Sequence, residues 1–245
     1  MTTPDDKLDF KKLLPIFVII LVDLLGLTII IPLMPLYATT FGGDAWTIGL
    51  LGATYPIAQF VGAPVLGRLS DQFGRRPVLL VSQIGTLAGF VLLGFSNALW
   101  LLFLSRLIDG LSGANISTAQ AVITDNTTAK NRTQGLGLLG AAFGLGFVIG
   151  PIIAAVSLWA GADNYHIPAF IAAAFSLASL VLTFFWLPES LPAERRGAKA
   201  QGSAFSLARL AEALRHPQVG LLLVLIFSQQ VAFGGFEQLF SLFTL

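Results

Sequence analysis

The 245-residue sequence contains no cysteine, only two histidines and few charged residues. The absence of cysteine excludes disulfides, cysteine-ligated zinc and cysteine-bound iron–sulfur clusters. Charged residues make up 11% of the sequence, against about 25% in an ordinary soluble domain. A chain of this composition cannot cover itself with a polar surface, and the sequence also has no G-x-x-x-x-G-K-S/T loop that would indicate ATP hydrolysis.

Hydrophobic residues make up 55% of the sequence, and they are grouped in long runs. A helix needs about 20 apolar residues to cross the hydrocarbon core of a membrane. The sequence therefore predicts an all-α membrane protein with seven spans, at about 13–38, 47–66, 77–96, 98–123, 134–159, 167–187 and 219–243.

The basic residues predict the orientation of these spans. If the N-terminus is cytoplasmic, thirteen of the fourteen lysines and arginines face the cytoplasm, namely Lys7, Lys11, Lys12, Arg68, Arg75, Arg76, Lys130, Arg132, Arg195, Arg196, Lys199, Arg209 and Arg215. The opposite loops, which contain Asp44 and Asp163, have no basic residue. Positive loops stay in the cytoplasm, so we expect a multi-pass protein of the inner membrane with a cytoplasmic N-terminus. The net charge of +1 gives no indication of a nucleic-acid partner.

A polar segment at 188–217 separates the sixth and seventh predicted spans. Within it Leu207, Leu210, Ala211 and Leu214 recur at the spacing of one helix face. The sequence predicts a cytoplasmic linker that contains a short amphipathic helix at the membrane interface.

The segment 67–77 connects the second and third predicted spans and reads Gly-Arg-Leu-Ser-Asp-Gln-Phe-Gly-Arg-Arg-Pro. Glycines permit a tight turn, and Arg75 and Arg76 mark a cytoplasmic face. The pattern G-x-x-x-D-x-x-G-R-R resembles the signature loop of transporters of the major facilitator superfamily. An ordinary basic turn is the alternative interpretation.

The resemblance implies a conformational latch at the cytoplasmic edge. Its predicted members are Gly67, Asp71, Gly74, Arg75, Arg76 and, at the end of the fourth span, Asp125. In the family, such a carboxylate and the arginines of the signature loop favour the outward-open state. Asp125 could instead be a solvated aspartate at a helix end.

The resemblance also implies a domain organisation, because proteins of this family usually have two six-helix halves joined by a linker. We expect a six-helix N-terminal domain at 1–187, a cytoplasmic linker at 188–217, and the first helix of an incomplete C-terminal domain at 218–245. The chain is thus expected to be truncated, without most of its second half.

Asp23 is the first candidate for a substrate or proton site. It opens the series Asp23-x-x-Gly26-x-x-x-x-x-Pro32-x-x-Pro35, which is similar to the first span of drug-exporting and tetracycline-exporting members of the family. An ionisable residue in a membrane is costly and is a functional candidate for that reason. The alternative is a carboxylate that hydrogen-bonds the backbone near an irregular helix turn.

Arg106 and Asp109 lie at positions i and i+3 of the fourth span, close enough to pair. The series Arg106-x-x-Asp109-Gly110-x-x-Gly113 resembles a family motif whose arginine is associated with proton coupling, although Asp109 departs from its commonest form. A purely structural ion pair is the alternative.

Further polar residues are assigned to the same cavity. Gly113, Ser117, Gln120 and Thr124 are expected to continue the face of Arg106 and Asp109. Tyr55 and Gln59 are one turn apart, and two roles are open to them: lining the cavity or bridging helices. A weak internal symmetry places Gln229 of the seventh span opposite Asp23.

The fifth predicted span contains the spacing G-x8-G-x3-G-P, formed by Gly137, Gly146, Gly150 and Pro151. This resembles the motif of the antiporter branch of the superfamily, with Ala154 and Ala155 in place of its closing glycines. Small residues also allow helices to approach closely, so ordinary packing through Gly140-x-x-x-Gly144 and Gly146-x-x-x-Gly150 is the alternative.

The resemblance implies a proton-coupled antiporter, not an enzyme, that exports drug-like or other small lipophilic solutes by alternating access, as in multidrug efflux and antibiotic resistance. Its expected partners are a small-molecule substrate, protons and the lipid bilayer, with no cofactor besides the proton gradient. The alternatives are proton-linked uptake of a sugar or metabolite, and a truncated membrane module that does not transport.

Overall fold

The computed structural model describes residues 8–161, 164–197 and 207–243, and the ordered elements in these ranges are all helical. Three residues used to predict orientation, Lys7, Asp163 and Lys199, lie outside the described residues. Seven helical segments are long and apolar enough to span a membrane, which confirms the predicted number. Many of their large apolar side chains are exposed, Trp159 by 85% and Phe185 by 81%, as lipid-facing side chains are.

The first span covers Phe10–Thr40 and has an irregular turn. Helix α1 (Phe10–Ile30) continues into a 3₁₀ turn (Ile31–Leu33) and then into α2 (Met34–Thr40). Pro32 and Pro35 lie at this irregularity. Proline has no N–H to donate to the helical hydrogen-bond ladder, so it favours an irregular turn here. The irregular turn therefore falls less than three helical turns after Asp23.

The second and third spans are α3 (Ala45–Phe73) and α4 (Arg75–Gly94). A single residue, Gly74, separates them and has a φ of 113°, a backbone conformation that favours glycine. The turn expected over the whole segment 67–77 is therefore limited to one residue, and Gly67 lies within α3. At the other end of α3, the Asp44 side chain accepts a hydrogen bond from the Thr47 backbone N–H at 2.9 Å, and the Thr47 hydrogen bonds lower the pKa of Asp44.

The fourth span is broken, which corrects the continuous helix that the sequence predicted. Helix α5 (Leu99–Leu111) and helix α6 (Asn115–Asp125) are separated by residues 112–114. The small residues Ser112, Gly113 and Ala114 bring no apolar bulk to this point, so that polar side chains of α3 and α4 can reach its backbone.

The fifth and sixth spans are α7 (Arg132–Ala160) and α8 (His166–Trp186). Helix α1 packs between α7 and α8, α4 packs against α5 and α8, and α3 packs against α5. A core of α1 side chains fills the centre, including Leu13, Ile16 and Ile20, each at most 1% exposed. This bundle holds Asp23 against α6 and α8.

The chain divides into two compact units, Met1–Ala200 and Gln201–Leu245. The first contains the six spans and a 3₁₀ turn at Ala193–Arg195. The second contains α9 (Leu207–Arg215), where the sequence predicted the amphipathic helix, and α10 (Pro217–Phe243), which includes the seventh span.

Candidate functional site

A small pocket lies among the first four spans. It is lined by Asp23, Leu24, Leu27, Tyr55, Gln59, Thr86, Asp109, Gly113, Asn115 and Ile116. Its volume of about 20 Å³ is enough for about one water molecule. Six of the lining residues carry polar side chains that could bind a solute or a proton.

Asp23 lies on the wall of this pocket and is 8% exposed. Its Oδ2 accepts a hydrogen bond of 2.7 Å from Nδ2 of Asn115, the first residue of α6. On α8, the Ser179 hydroxyl donates to the carbonyl of Ile19, four residues before Asp23, at 3.1 Å. Asp23 Oδ1 is buried and has no hydrogen-bond partner, so one acceptor remains available for a proton or a ligand.

Arg106 and Asp109 form the predicted pair in the membrane. Arg106 Nη1 lies 3.3 Å from Asp109 Oδ2, at ion-pair distance but without hydrogen-bond geometry. The guanidinium lies 5.5 Å from the centre of the Phe90 ring, and its Nε and Nη2 have no partner. Asp109 is one of the residues that line the pocket, whereas Arg106 is not.

The charges around the pocket do not cancel. With all three groups ionised, the Asp23 and Asp109 carboxylates contribute −2 and Arg106 contributes +1, which leaves −1. A buried charge must be paired or neutralised. A proton or a cationic solute would restore neutrality here.

Tyr55 and Gln59 both line the pocket, and Gln59 also bridges α3 to the break in the fourth span. Gln59 Nε2 donates to the Tyr55 hydroxyl at 3.1 Å and to the Gly113 carbonyl at 2.9 Å. Another predicted cavity residue, Gln120, is exposed on α6 outside the pocket. Gln229 lies on α10, in the second unit. The polar face predicted along the fourth span is not continuous, because residues 112–114 interrupt the helix.

The predicted latch residues meet at the end of the bundle where α3 joins α4, which we call the basic end because Arg68, Arg75 and Arg76 lie there. Arg75 Nε donates to Asp125 Oδ2 at 2.9 Å, and its Nη1 pairs with Asp71. Arg76 does not join this network. The Arg76 guanidinium donates to the backbone carbonyl of Phe184 and lies 5.6 Å from the centre of the Phe184 ring.

Glu189, which the sequence analysis did not select, completes the basic end. Its two carboxylate oxygens accept hydrogen bonds from the backbone N–H groups of Arg75 (2.8 Å) and Arg76 (3.1 Å). A third bond of 2.9 Å comes from the Leu191 N–H. The carboxylate thus caps the N-terminus of α4, where the free N–H groups favour a negative charge.

The glycines of the fifth span fall into two groups. A Cβ added at Gly146 would lie 3.3 Å from Leu24 Cβ, and one at Gly150 would overlap Thr28, so α7 touches α1 here. Added Cβ atoms at Gly137, Gly140 and Gly144 meet nothing within 4 Å among the described residues. The close packing expected through Gly140 and Gly144 is therefore absent from the described part of the chain.

Sequence reasoning missed Asn115 as well as Glu189. Asn115 is a polar residue within a predicted span, and an uncharged side chain there is less conspicuous than a charged one. Glu189 belongs to the Pro-Glu-Ser series that opens the predicted linker, a pattern that also occurs in ordinary loops.

Comparisons with known proteins agree with this architecture. A family model described as Major Facilitator Superfamily matches residues 16–245. The chain is 43% identical over 176 residues to the tetracycline resistance protein, class B, of Escherichia coli, covering 71% of this chain and 43% of that protein. It is 36% identical over 219 residues to the class D protein of Salmonella ordonez, covering 87% and 54%.

A solved structure is similar as well. The crystal structure of the human organic anion transporter MFSD10 (TETRAN) matches with a TM-score of 0.70 and 29% identity, covering 87% of this chain and 55% of that one. The chain spans about half the length of the curated relatives it matches.

Proposed function

The chain belongs to the Major Facilitator Superfamily, and we propose that the protein is a proton-coupled antiporter that exports drug-like or other small lipophilic solutes. Members of this superfamily are transporters rather than enzymes. Their two halves rock about a site near the middle of the membrane and expose it alternately to the two sides. We assign the described pocket to the first of these halves, and we expect a second half to supply the facing wall.

One observation carries the proposal. The Asp23 carboxylate is buried in a polar pocket whose ionised groups sum to −1, and one of its oxygens has no partner. Such a carboxylate can exchange a proton for a cationic or polar solute, because either one neutralises it. The tetracycline resistance proteins among the relatives favour a drug-like substrate.

We further propose that the protein lies in the inner membrane with its basic end in the cytoplasm. The described lysines and arginines outside the membrane support this orientation, since they lie at the basic end, along the linker or beside the N-terminus. A proton that enters from the opposite side could then drive export. No metal or organic cofactor is part of this proposal.

The test uses the full-length protein in liposomes with an imposed proton gradient. Tetracycline is the first substrate to try, and its movement should be accompanied by proton movement in the opposite direction. Asp23→Asn should abolish proton-driven export. Asp44→Asn, the same change at an exposed helix cap outside the membrane, is the matched control and should leave export unchanged.

A second candidate, transport of an organic anion, is favoured by the structural likeness to MFSD10. The two candidates differ in the charge that the pocket must accept. Competition of tetracycline export by organic cations would support the first, whereas competition by organic anions alone would support the second. Export by Asp23→Asn at the wild-type rate, with unchanged pH dependence, would contradict the assignment of Asp23.

A further inference from the structure

Helix α6 joins the two polar sites of the first unit. Its first residue, Asn115, hydrogen-bonds Asp23 at 2.7 Å, and its last residue, Asp125, pairs with Arg75 at 2.9 Å. Eleven residues at 1.5 Å per residue form a rod of about 15 Å. A displacement of one end of such a short helix therefore reaches the other end.

The break at residues 112–114 separates this rod from α5. Side chains of neighbouring helices bind the backbone groups freed there. Gln59 Nε2 donates to the Gly113 carbonyl at 2.9 Å, the Ser82 hydroxyl donates to the Ser112 carbonyl, and the Ala114 N–H donates to Ser82 Oγ at 3.1 Å. Broken helices are tolerated in membranes when such groups are satisfied. Because α5 and α6 are separate helices, a shift of α6 need not carry the Arg106–Asp109 pair with it.

The contact between Asp23 and Asn115 is incomplete. One hydrogen bond joins Asn115 Nδ2 to Asp23 Oδ2, while Asp23 Oδ1 and Asn115 Oδ1 are both buried and without a partner. Both of these atoms are acceptors when Asp23 is ionised. A buried acceptor without a donor is unfavourable.

A single proton would satisfy both acceptors. Bound to Asp23 Oδ1, it would form a hydroxyl that donates to Asn115 Oδ1, and the acid and the amide would then share two hydrogen bonds. Loss of this proton to water removes one of the two bonds and leaves both acceptors again without a donor.

Other charged groups near Asp23 belong to α5 and α3. Asp109 and Arg106 lie on α5, and the Tyr55 phenol lies on α3. The helices packed directly against α1 carry ionisable residues only at their ends, namely Arg132 on α7, His166 on α8 and Asp125 on α6. Helix α4 approaches α1 where Phe90 lies near Gly26, and its charged residues, Arg75 and Arg76, are at its start. None of these helices offers Asp23 a competing proton acceptor at its own depth.

We propose that Asn115 is a positioning residue for Asp23, and that a proton held between their Oδ1 atoms fastens α6 to α1. Release of the proton weakens the attachment of the first turn of α6 to α1, shifts this helix, and alters the Asp125–Arg75 pair at its other end. This inference rests on the proposed function, because it assigns Asp23 as the proton site. It also gives that site a route to the latch through one helix.

The experiment measures the position of α6 in the full-length protein. The sequence has no cysteine, so spin labels can be placed at Phe73→Cys, which is 64% exposed at the end of α3, and at Ala129→Cys, an exposed position just after α6. The distance between the two labels is then compared at acidic and alkaline pH. In the otherwise unaltered protein we expect it to change with pH.

Three variants decide the outcome. Asn115→Leu should abolish the pH-dependent change and lower proton-driven export about tenfold or more. Thr118→Val, one turn further along α6 and without a hydrogen-bond partner, should retain both. Asp23→Asn can form two amide–amide hydrogen bonds with Asn115, and it should hold the labels at the acidic distance at every pH.

A pH-dependent distance that persists in Asn115→Leu would overturn the inference. If Asn115→Leu does not fold, Asp23→Asn decides alone, and a distance that still changes with pH would overturn the inference as well. These results leave the proposed function standing as long as Asp23→Asn loses export. Export by Asp23→Asn at the wild-type rate would instead remove the proposed function, and the inference with it.

Discussion

Glu189 Oε1 accepts a hydrogen bond of 2.8 Å from the backbone N–H of Arg75. The bond fastens the residues that follow the sixth span to the start of α4. The same bond brings the start of the linker close to Arg75, whose Nε pairs with Asp125 Oδ2. The Ser190 hydroxyl of the linker donates to this Oδ2 as well, at 3.3 Å. The start of the predicted linker is therefore part of the basic end of the bundle.

Loss of the Glu189 carboxylate should destabilise the first unit. Glu189→Ala leaves the first N–H groups of α4 without an acceptor, and loss of a helix cap costs about 1 kcal/mol. Glu189→Gln keeps one acceptor oxygen and should cost less. Thermal unfolding in detergent measures both variants, and equal melting temperatures for the wild type and Glu189→Ala would contradict the capping role.

The two carboxylates that bind Arg75 should differ in importance. The Asp71 side chain is 59% exposed and that of Asp125 is 15% exposed, and exposed ion pairs contribute only about 0–1 kcal/mol. Asp125→Asn should therefore shift the balance between inward-open and outward-open states more than Asp71→Asn, with little effect on substrate affinity. Spin-label distances across the cytoplasmic faces of the full-length protein measure the shift, and unchanged distances in both variants would count against a latch.

Arg106 and Asp109 should depend on each other for stability. Asp109→Asn removes the ion-pair partner that lies 3.3 Å from the buried Arg106 guanidinium, and breaking a buried pair costs about 3–5 kcal/mol. The double variant Arg106→Gln with Asp109→Asn should recover much of this loss. Thermal unfolding tests the coupling, and single-variant losses that simply add in the double variant would show that the residues act independently.

The glycines of α7 should tolerate substitution unequally. A Cβ at Gly150 overlaps Thr28 on α1, so Gly150→Ala should destabilise the bundle by about 1–3 kcal/mol. Gly140→Ala meets no described atom within 4 Å and is the matched control for the stability of this half. An equal loss of thermal stability in the two variants would contradict the α1–α7 contact.

The orientation can be tested with single cysteines. Thr39→Cys, exposed near the end of α2, should react with an impermeant maleimide on intact cells, whereas Ala129→Cys after α6 should not. Opening the cells should allow Ala129→Cys to react and so provides the control for accessibility. The reverse pattern on intact cells would overturn the orientation.

Much of the fold was accessible from the sequence, because a membrane imposes a simple requirement. Each span must be long and apolar, and this pattern predicted the place of all seven spans, although the second extends to Phe73 rather than to residue 66. The break in the fourth span was not accessible. Ser112, Gly113 and Ala114 are ordinary in a membrane helix, and the groups that bind the backbone at the break, Gln59 and Ser82, lie on other spans.

The residues of the candidate site also fall into those that could be selected from the sequence and those that could not. Asp23, Arg106 and Asp109 could be selected from the sequence, since a charge within an apolar run is conspicuous and costly. Their neutral partner Asn115 could not be selected, because its importance comes from a helix 92 residues away in the chain. The choice of Arg75 over Arg76 as the partner of Asp125 depends likewise on where α6 ends.

The sequence by itself determined the membrane class, the number of spans, the resemblance to the family and the rare charges within the membrane. These properties follow from local composition, which fixes whether a segment prefers lipid or water. Only the tertiary structure decided which polar groups meet: Asn115 with Asp23, Asp125 with Arg75, and Glu189 with the start of α4. The reason is physical, since a hydrogen bond between two spans requires atoms about 3 Å apart, and only the packing of the helices brings residues so distant in sequence to that separation.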